Sequence, residues 1–206
     1  MRDEPLGRFL DAVASPTPTP GGGSAAALAG ALSVALSRMV LGLARGKRGY
    51  EAVEARLAEI EGRAVPLQAR LEALVEDDAK AYGEVVRARK LPRSSDAERA
   101  VRVRELQAAY RRATEVPLAT LEACAEALEL ADTAAEIGSR GAATDAGVAV
   151  LLGEAAARGA AMNVRVNLPA IRDEPFRSEA EDRLEALEAR TSGTAARALA
   201  RIDGRL

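Results

Sequence analysis

Apolar residues recur at steps of three and four along most of this chain, which is the spacing of residues on one face of an α-helix. The clearest seam begins at Leu57 and Ile60 and continues to Leu74. It predicts a long helix over residues 51–89, with a kink at Pro66. Strict alternation of β-branched or aromatic residues with polar ones, which is typical of strands, is missing from the sequence.

The same pattern divides the rest of the chain into further helices, separated by proline and glycine. They are predicted over residues 3–14, 24–45 and 95–130, from 144 onward, and over 178–202, with a second kink at Pro117. Ser95 and Glu98 have the spacing of a capping box. We therefore expect an all-α, up-and-down bundle of about five long, partly kinked helices plus a short N-terminal helix, forming a single domain over residues 1–206.

One position on the long seam carries a charge where an apolar residue is due. Continuing the seam past Leu74 places Asp78, Ala81 and Val85 at the inner positions. A carboxylate buried without a partner is costly, so it either raises its pKa or finds a hydrogen-bond donor. Asp78 is therefore a candidate functional residue. The alternative is that the helix rotates after Pro66 and leaves Asp78 in solvent.

Three successive glycines lie between a proline-rich lead-in and an apolar, alanine-rich helix. Gly21, Gly22 and Gly23 fit a place where the backbone bends sharply or approaches another group closely, because glycine is disfavoured in regular elements. Ser24 is positioned to cap the helix, and the unpaired N–H groups behind it are suited to hold an anion. The alternative is that the glycines only let one helix start tightly against another.

Several other polar residues are candidates for binding. Asp145 is either an ordinary first-turn acid of its helix or a residue of the inner face. Asn163 and Asn167 lie four residues apart on one helix face, where buried amides act as structural cross-links or as ligand donors. Lys47 and Arg48 follow the end of the second helix, where they complement its dipole or bind an anion.

The amino-acid composition argues against several classes of function and of catalytic group. The net charge is −2 and aromatic residues make up 2% of the chain, which argues against a nucleic-acid binder. Histidine is absent, so proton transfer has to use carboxylates, Lys, Tyr or Cys, and no cluster with metal-ligand spacing is found. The lone Cys124 fits a reducing, cytoplasmic location and is expected to be a small buried apolar residue rather than a nucleophile.

Residues 24–44 are apolar enough to be tested as a membrane span. Arg38 lies within this segment, and a central arginine costs about 2.5–3.5 kcal/mol on insertion scales. We therefore expect a helix buried among other helices, and no membrane partner.

Several of these segments, in the same order, resemble the cyclodeaminase domain of formiminotransferase-cyclodeaminase and its stand-alone bacterial relatives, which include methenyltetrahydrofolate cyclohydrolases. The resemblance runs almost the whole length of the chain. It rests on the motifs Pro20–Ser24, Gly46-Lys47, Asp78–Tyr82, Lys90–Pro92, Thr144–Ala149 and Asn163–Leu168. Each motif is weak alone, and the ordered set is specific to the family.

The resemblance implies a homodimer with a folate site in a cleft near the dimer interface, and chemistry on the one-carbon unit that bridges two folate nitrogens. Our first expectation is a formimidoyltetrahydrofolate cyclodeaminase, which closes the ring to 5,10-methenyltetrahydrofolate and releases ammonia. The alternatives are a methenyltetrahydrofolate cyclohydrolase and a non-catalytic folate-binding helical dimer. No permanently bound cofactor is expected, since the tetrahydrofolate derivative is the substrate, and a formiminotransferase is a possible partner.

The same resemblance assigns candidate roles to residues. Asp78 and Asp145 are the expected catalytic pair, because a carboxylate near the methenyl cation stabilises it and can serve as a base. The substrate-binding candidates are Gly21, Gly22, Gly23, Ser24, Lys47, Arg48, Tyr82, Lys90, Asn163 and Asn167. The cations or the glycine-run helix terminus would hold the glutamate carboxylates of folate, and the asparagines would meet the pterin or brace the aspartates.

Two features depart from the family pattern. Ser139 and Gly141 stand where the family usually has an Asn and another polar residue, and Tyr82 replaces the more usual Phe. Compared with the family pattern, polar groups beside Asp145 are missing, and we expect this to affect the activity or the choice of substrate.

Overall fold

The computed structural model describes residues 5–205, which fold as α-helices joined by turns. The helices are α1 (Leu6–Ala14), α2 (Gly22–Gly42), α3 (Glu54–Arg89), α4 (Asp96–Ile137), α5 (Ala143–Asn167) and α6 (Glu174–Asp203). Short 3₁₀ turns at Glu51–Val53, Arg140–Ala142 and Leu168–Ala170 connect some of them. No strand occurs between residues 5 and 205, so the expected all-α helical bundle is confirmed.

Helix α2 packs against α3, α4 and α5, and small residues let these helices approach closely. A Cβ atom on Gly30 of α2 would lie 3.0 Å from a methyl group of Leu71 on α3 and 3.1 Å from the Cys124 sulfur on α4. Gly153 of α5 is equally tight, since its Cβ would lie 2.9 Å from Ser33 Oγ. The glycines therefore set how closely α2 and its neighbours pack.

Cys124 is fully buried in the α4 seam, as predicted. Burial raises the pKa of its thiol to about 12. The thiol therefore stays protonated at neutral pH and behaves as a small apolar side chain.

Helix α4 is longer than predicted, whereas its start is confirmed. It continues to Ile137 because Ala131, Ala134 and Ala135 remain buried on its inner face. At its start, the capping box predicted from Ser95 is present.

The two internal prolines do not end their helices. Pro66 lies inside α3 and Pro117 inside α4, and both helices continue through them. The kinks expected at these prolines stay a prediction.

Helix α6 begins at Glu174, four residues earlier than predicted, because Asp173 caps it. The Asp173 carboxylate accepts a hydrogen bond from the backbone N–H of Phe176 at 3.3 Å. Pro175 follows in the first turn, where its missing N–H costs nothing. This Asp-x-Pro start was readable in the sequence and was missed.

Side chains of α3 pair the charge and the hydrogen-bond donors of Arg38, the arginine within the apolar helix α2. Arg38 pairs with Glu61 at 2.6 Å and donates to Gln68 Oε1 at 2.7 Å. Among the described residues, Gly22–Gly42 is the one helix long and apolar enough to cross a membrane, and half of that window is buried inside the protein. The buried half matches the expected helix packed among other helices.

Helix α6 lies across α4 and is joined to it by ion pairs. They connect Arg183 to Glu122, Arg190 to Glu129 and Arg197 to Asp132. Each such partly exposed pair contributes only about 0.2–1 kcal/mol. The buried apolar residues of α6, such as Ala180, Leu184 and Ile202, are therefore its main attachment to the bundle.

Candidate active site

A cavity of about 560 Å³, hereafter the Asp78 cavity, opens where the start of α2, the second half of α3 and the end of α5 meet. Of the residues predicted to form a site, it is lined by Gly21, Gly22, Gly23, Asp78, Tyr82, Asn163 and Asn167. The fold therefore brings residues that lie far apart in the sequence together at one end of the bundle.

The glycine run is explained by a close approach between α2 and Asp78. A Cβ atom on Gly23 would lie only 2.1 Å from Asp78 Oδ1. Beside it, the Ser24 hydroxyl donates a hydrogen bond to Asp78 Oδ2 at 2.8 Å. Only a residue without a side chain lets the carboxylate rest against this turn.

Ser24 does not cap α2, contrary to our prediction. The helix begins at Gly22 with Gly21 as its N-cap, so Ser24 already lies within the first turn, where its side chain reaches α3. The predicted anion at this terminus is the protein's own Asp78 carboxylate. A carboxylate of a ligand would therefore be repelled from this end of α2.

Two effects shift the pKa of Asp78 in opposite directions. Burial raises the pKa of this carboxyl, whereas hydrogen bonds from the Ser24 hydroxyl and backbone N–H lower it, and burial prevails. The pKa is therefore raised from the ordinary aspartate value. The alternative that Asp78 is fully solvated is wrong, because the residue is half-buried and hydrogen-bonded to α2.

The two asparagines present their amide oxygens as acceptors. Asn163 Nδ2 donates to the Gly159 carbonyl at 2.9 Å, and Asn167 Nδ2 donates to the Ala113 carbonyl at 2.8 Å. Carbonyls only accept hydrogen bonds, so the NH₂ groups must face them and each Oδ1 must face away. Both residues line the Asp78 cavity.

Arg89 and Tyr110 also line the Asp78 cavity, and the sequence reading did not assign them to a site. The Tyr110 hydroxyl accepts hydrogen bonds from Arg89 Nη2 at 2.7 Å and Nε at 3.3 Å. Arg89 follows Asp78 by about three turns of α3 and so shares its face. That spacing was a usable signal, whereas the approach of Tyr110 from α4 was not visible in the sequence.

The other predicted site residues lie elsewhere in the protomer. Asp145 lies in the first turn of α5, roughly 27 Å along the helix axis from Asn163. Lys47 and Arg48 lie beyond the end of α2, at the opposite end from Gly22. Lys90 is exposed at the end of α3 and does not line the Asp78 cavity.

Asp145 and the Lys47 loop belong to the same end of the bundle. The Ser139 N–H donates to the Val40 carbonyl at 3.1 Å, and the Arg140 N–H donates to the Tyr50 hydroxyl at 3.0 Å. The expected pairing of Asp78 with Asp145 in one site is therefore not found within a protomer, because the lengths of α2 and α5 hold them apart.

The Asp78 cavity is equipped for proton transfer and for holding a positively charged ligand centre. It combines a carboxylate of raised proton affinity, two amide acceptors and two tyrosines. Between residues 5 and 205, no group of three or more His, Cys, Asp or Glu side chains is placed to hold a metal ion.

Comparisons with known proteins agree with this geometry. The family described as Formiminotransferase-cyclodeaminase matches residues 5–186. The chain is 43% identical to methenyltetrahydrofolate cyclohydrolase from Methylorubrum extorquens, covering 90% of this chain and 88% of that protein. It is 31% identical to formimidoyltransferase-cyclodeaminase from Sus scrofa over 98% of this chain, although it spans only 37% of that longer protein.

One solved structure has nearly the same fold. It is the crystal structure of formiminotetrahydrofolate cyclodeaminase from Thermotoga maritima, with a TM-score of 0.89 and 32% sequence identity. The match covers 98% of both chains.

The contact between Gly23 and Asp78 generates a test of the site geometry. We expect Gly23→Ala to lower the free energy of unfolding by about 1–2 kcal/mol, because the new methyl group forces Asp78 away and breaks its bond to Ser24. The measurement is chemical denaturation followed by circular dichroism. Gly22→Ala is the matched control, since its Cβ would meet Asn163 Nδ2 at an ordinary 3.8 Å. Equal stability of the two variants would contradict the close approach.

Proposed function

This chain belongs to the formiminotransferase-cyclodeaminase family and is a folate one-carbon enzyme, and on that premise we propose that it is a methenyltetrahydrofolate cyclohydrolase. The observation that carries the choice is the 43% identity to a cyclohydrolase, which extends over 90% of this chain and 88% of the relative. The proposal replaces the cyclodeaminase that we expected first. The mammalian cyclodeaminases are less similar, and most of each lies outside the match.

The proposed reaction adds water to the cationic carbon that bridges N5 and N10 of tetrahydrofolate. A water oxygen forms a bond to this carbon and loses one proton to Asp78, which gives a neutral tetrahedral carbon. The bond from carbon to N5 then breaks, N5 takes a proton from Asp78, and the hydroxyl proton leaves to solvent as the formyl C=O forms on N10. One water is consumed and one proton is released overall, so Asp78 ends as it began.

The properties of Asp78 suit both proton transfers. An ionised carboxylate beside the methenyl cation stabilises it and the charge that develops on the attacking water. Its raised pKa brings its proton affinity closer to neutrality, which is the range where a general base also serves as an acid. The Ser24 hydroxyl fixes the orientation of the carboxylate.

The remaining lining of the Asp78 cavity suits a pteridine with an aromatic tail. The oxygens of Asn163 and Asn167 would accept hydrogen bonds from pterin N–H groups. Tyr82 and Tyr110 are two of only five aromatic residues in the chain, and both line this cavity. They offer flat apolar surface to the rings of the substrate.

A cyclodeaminase is the second candidate, favoured by the Thermotoga maritima structure of that name. In that reaction N10 attacks the formimino carbon on N5, and the tetrahedral carbon, which carries an amino group in place of the hydroxyl, takes up a proton and expels ammonia to leave the methenyl cation. A formiminotransferase partner would be needed only for this second activity, to supply the formimino substrate.

We further propose that two copies pair through an apolar face formed by α2 and α5. Exposed apolar residues lie along it at Leu32, Leu43, Val148, Leu151, Met162 and Val166. Exposed apolar residues that share one face of neighbouring helices are typical of an interaction surface. A twofold axis across these antiparallel helices would bring the end that carries Asp145 and Lys47 toward the Asp78 cavity of the partner.

The enzymatic proposal is tested by incubating the protein with 5,10-methenyltetrahydrofolate and with formiminotetrahydrofolate. We expect methenyl absorbance to disappear faster than in buffer. Ammonia release with the appearance of methenyl absorbance would instead favour the cyclodeaminase. Binding of folate with neither reaction would leave the non-catalytic dimer.

Replacing the carboxylate separates catalysis from folding. We expect Asp78→Asn to lower kcat at least about 100-fold, because the base is lost.

The pKa of Asp78 is higher in the folded than in the unfolded protein, so ionising this carboxyl reduces stability as the pH rises from the unfolded to the folded pKa. The variant should therefore unfold at the same or a higher temperature than the wild type at pH 7. Asp77→Asn is the matched control, since Asp77 pairs with Lys80 at 3.7 Å outside the cavity. Wild-type rates in Asp78→Asn would remove Asp78 from the mechanism.

The pH profile tests the hydrogen bond from Ser24. On the acid side of the pH profile, kcat/KM should decline with a midpoint above the usual aspartate pKa of 3.8, because activity is lost when Asp78 is protonated. Ser24→Ala removes a donor that lowers the pKa of Asp78, so we expect the midpoint to move to higher pH. Ser37→Ala on the same helix is the control, because the Ser37 hydroxyl donates to the Ser33 carbonyl of its own helix. A midpoint that stays in place in Ser24→Ala would show that Asp78 is not the titrating group.

The dimer proposal is tested by light scattering coupled to size exclusion. The wild type should have the mass of two chains, and Leu151→Glu should shift it toward one chain, because a charge replaces a residue that is 54% exposed on the α2–α5 face. Val65→Glu, at a 48% exposed position on α3, should leave the mass unchanged. A monomeric wild type would reject the proposal.

A further inference from the structure

Arg89 has an unusual place for an exposed arginine. Arg89 lines the Asp78 cavity, and its guanidinium is held by two hydrogen bonds to the Tyr110 hydroxyl, at 2.7 and 3.3 Å. The guanidinium carbon also lies 5.8 Å from the centre of the Tyr110 ring. An arginine held by a neutral group at the wall of a cavity keeps its charge available to a ligand.

Among residues 5–205, no carboxylate forms an ion pair with this cation. In the described part of the chain, the Arg89 guanidinium donates its hydrogen bonds to the Tyr110 hydroxyl. Arg89 is also the one positively charged side chain among the described residues that line the Asp78 cavity. The cavity therefore has its negative charge at Asp78 and its positive charge at Arg89.

Helix α3 sets the distance between these two charges. Asp78 and Arg89 share one face of α3 and are separated by roughly 16 Å along the helix axis. Long side chains on a helix generally lean toward its start, which for Arg89 is the direction of Asp78. Tyr82 lies on the same face between them. The order acid, aromatic ring and cation is complementary to a ligand that carries a cation, a ring and an anion in that order.

We propose that Arg89 binds a carboxylate of the glutamate attached to the p-aminobenzoyl ring of the substrate, and that Tyr110 positions the guanidinium for this contact. The inference rests on the proposed folate function and deepens it. It adds a cation that lines the cavity itself to the tail contacts expected from the sequence, which were Lys47, Arg48, Lys90 or the α2 terminus. Within the protomer the first two lie at the far end, Lys90 lies outside the cavity, and Asp78 already occupies the terminus.

The contact is measured by calorimetric titration with two ligands that undergo no turnover. They are 5-formyltetrahydrofolate and its dimethyl ester, in which both glutamate carboxylates are neutral. We expect the wild type to bind the acid about 10 to 100-fold more tightly than the ester, as a charge-assisted hydrogen bond to a carboxylate provides. In Arg89→Met this preference should fall to about one, because the cation is gone.

Two further variants separate binding from structure. Tyr110→Phe keeps the charge of Arg89 but frees its guanidinium, so the preference for the acid over the ester should be intermediate. A purely structural effect of this variant would instead weaken the binding of both ligands equally. Arg87→Met makes the same charge change two residues away, where Arg87 is 72% exposed and faces Glu84, and should keep the wild-type preference.

The outcomes distinguish this inference from the function on which it rests. Equal wild-type affinity for acid and ester, or a preference that survives in Arg89→Met, overturns the tail contact alone. Failure of the wild type to bind either ligand overturns the folate proposal together with it. With methenyltetrahydrofolate as substrate, Arg89→Met should act mainly through KM, and a loss confined to kcat would also overturn the inference.

Discussion

The contact between the Asp78 carboxylate and the first turn of α2 is the interaction on which the candidate site depends. The Ser24 hydroxyl donates to this carboxylate at 2.8 Å, and a Cβ on Gly23 would take its place. The helix terminus and the hydroxyl favour the ionised form, whereas burial favours the protonated form and prevails. The result is a fixed carboxylate whose proton is held more tightly than usual, which is what a group that both accepts and donates a proton needs.

The same contact explains a costly sequence feature. Three glycines at the start of a helix lose much backbone entropy on folding, so packing alone is a weak reason to place them there. At Gly23 the reason is space for a charged group from α3, and at Gly22 the turn passes beside Asn163. The close approach that both interpretations of the glycine run expected is present, whereas the anion at the terminus is Asp78 and not a ligand.

The motifs that identify the family divide between the two ends of the bundle. Asp78 and Asn163 lie at one end, and Asp145 and Lys47 lie at the other, because α2 and α5 run the length of the protomer. The proposed twofold pairing of the α2–α5 face accounts for this division, since it sets one end of each copy beside the opposite end of the other.

The sequence by itself determined the all-α class, most helix bounds, the capping box at Ser95, the buried Cys124 and the family. The family rests on the ordered set of motifs, whereas the others follow from local rules of periodicity, propensity and spacing, which do not require knowledge of neighbours. It also pointed to Asp78, because a charge on an apolar seam has to be explained. Only the tertiary structure decided which candidates meet. It moved Ser24 from a cap to a partner of Asp78, added Arg89 and Tyr110 to the cavity, and separated Asp145 from it. The physical reason is that helix length and packing partners fix which side chains share a cavity, and neither distance across the bundle nor the approach of another helix is encoded in local spacing.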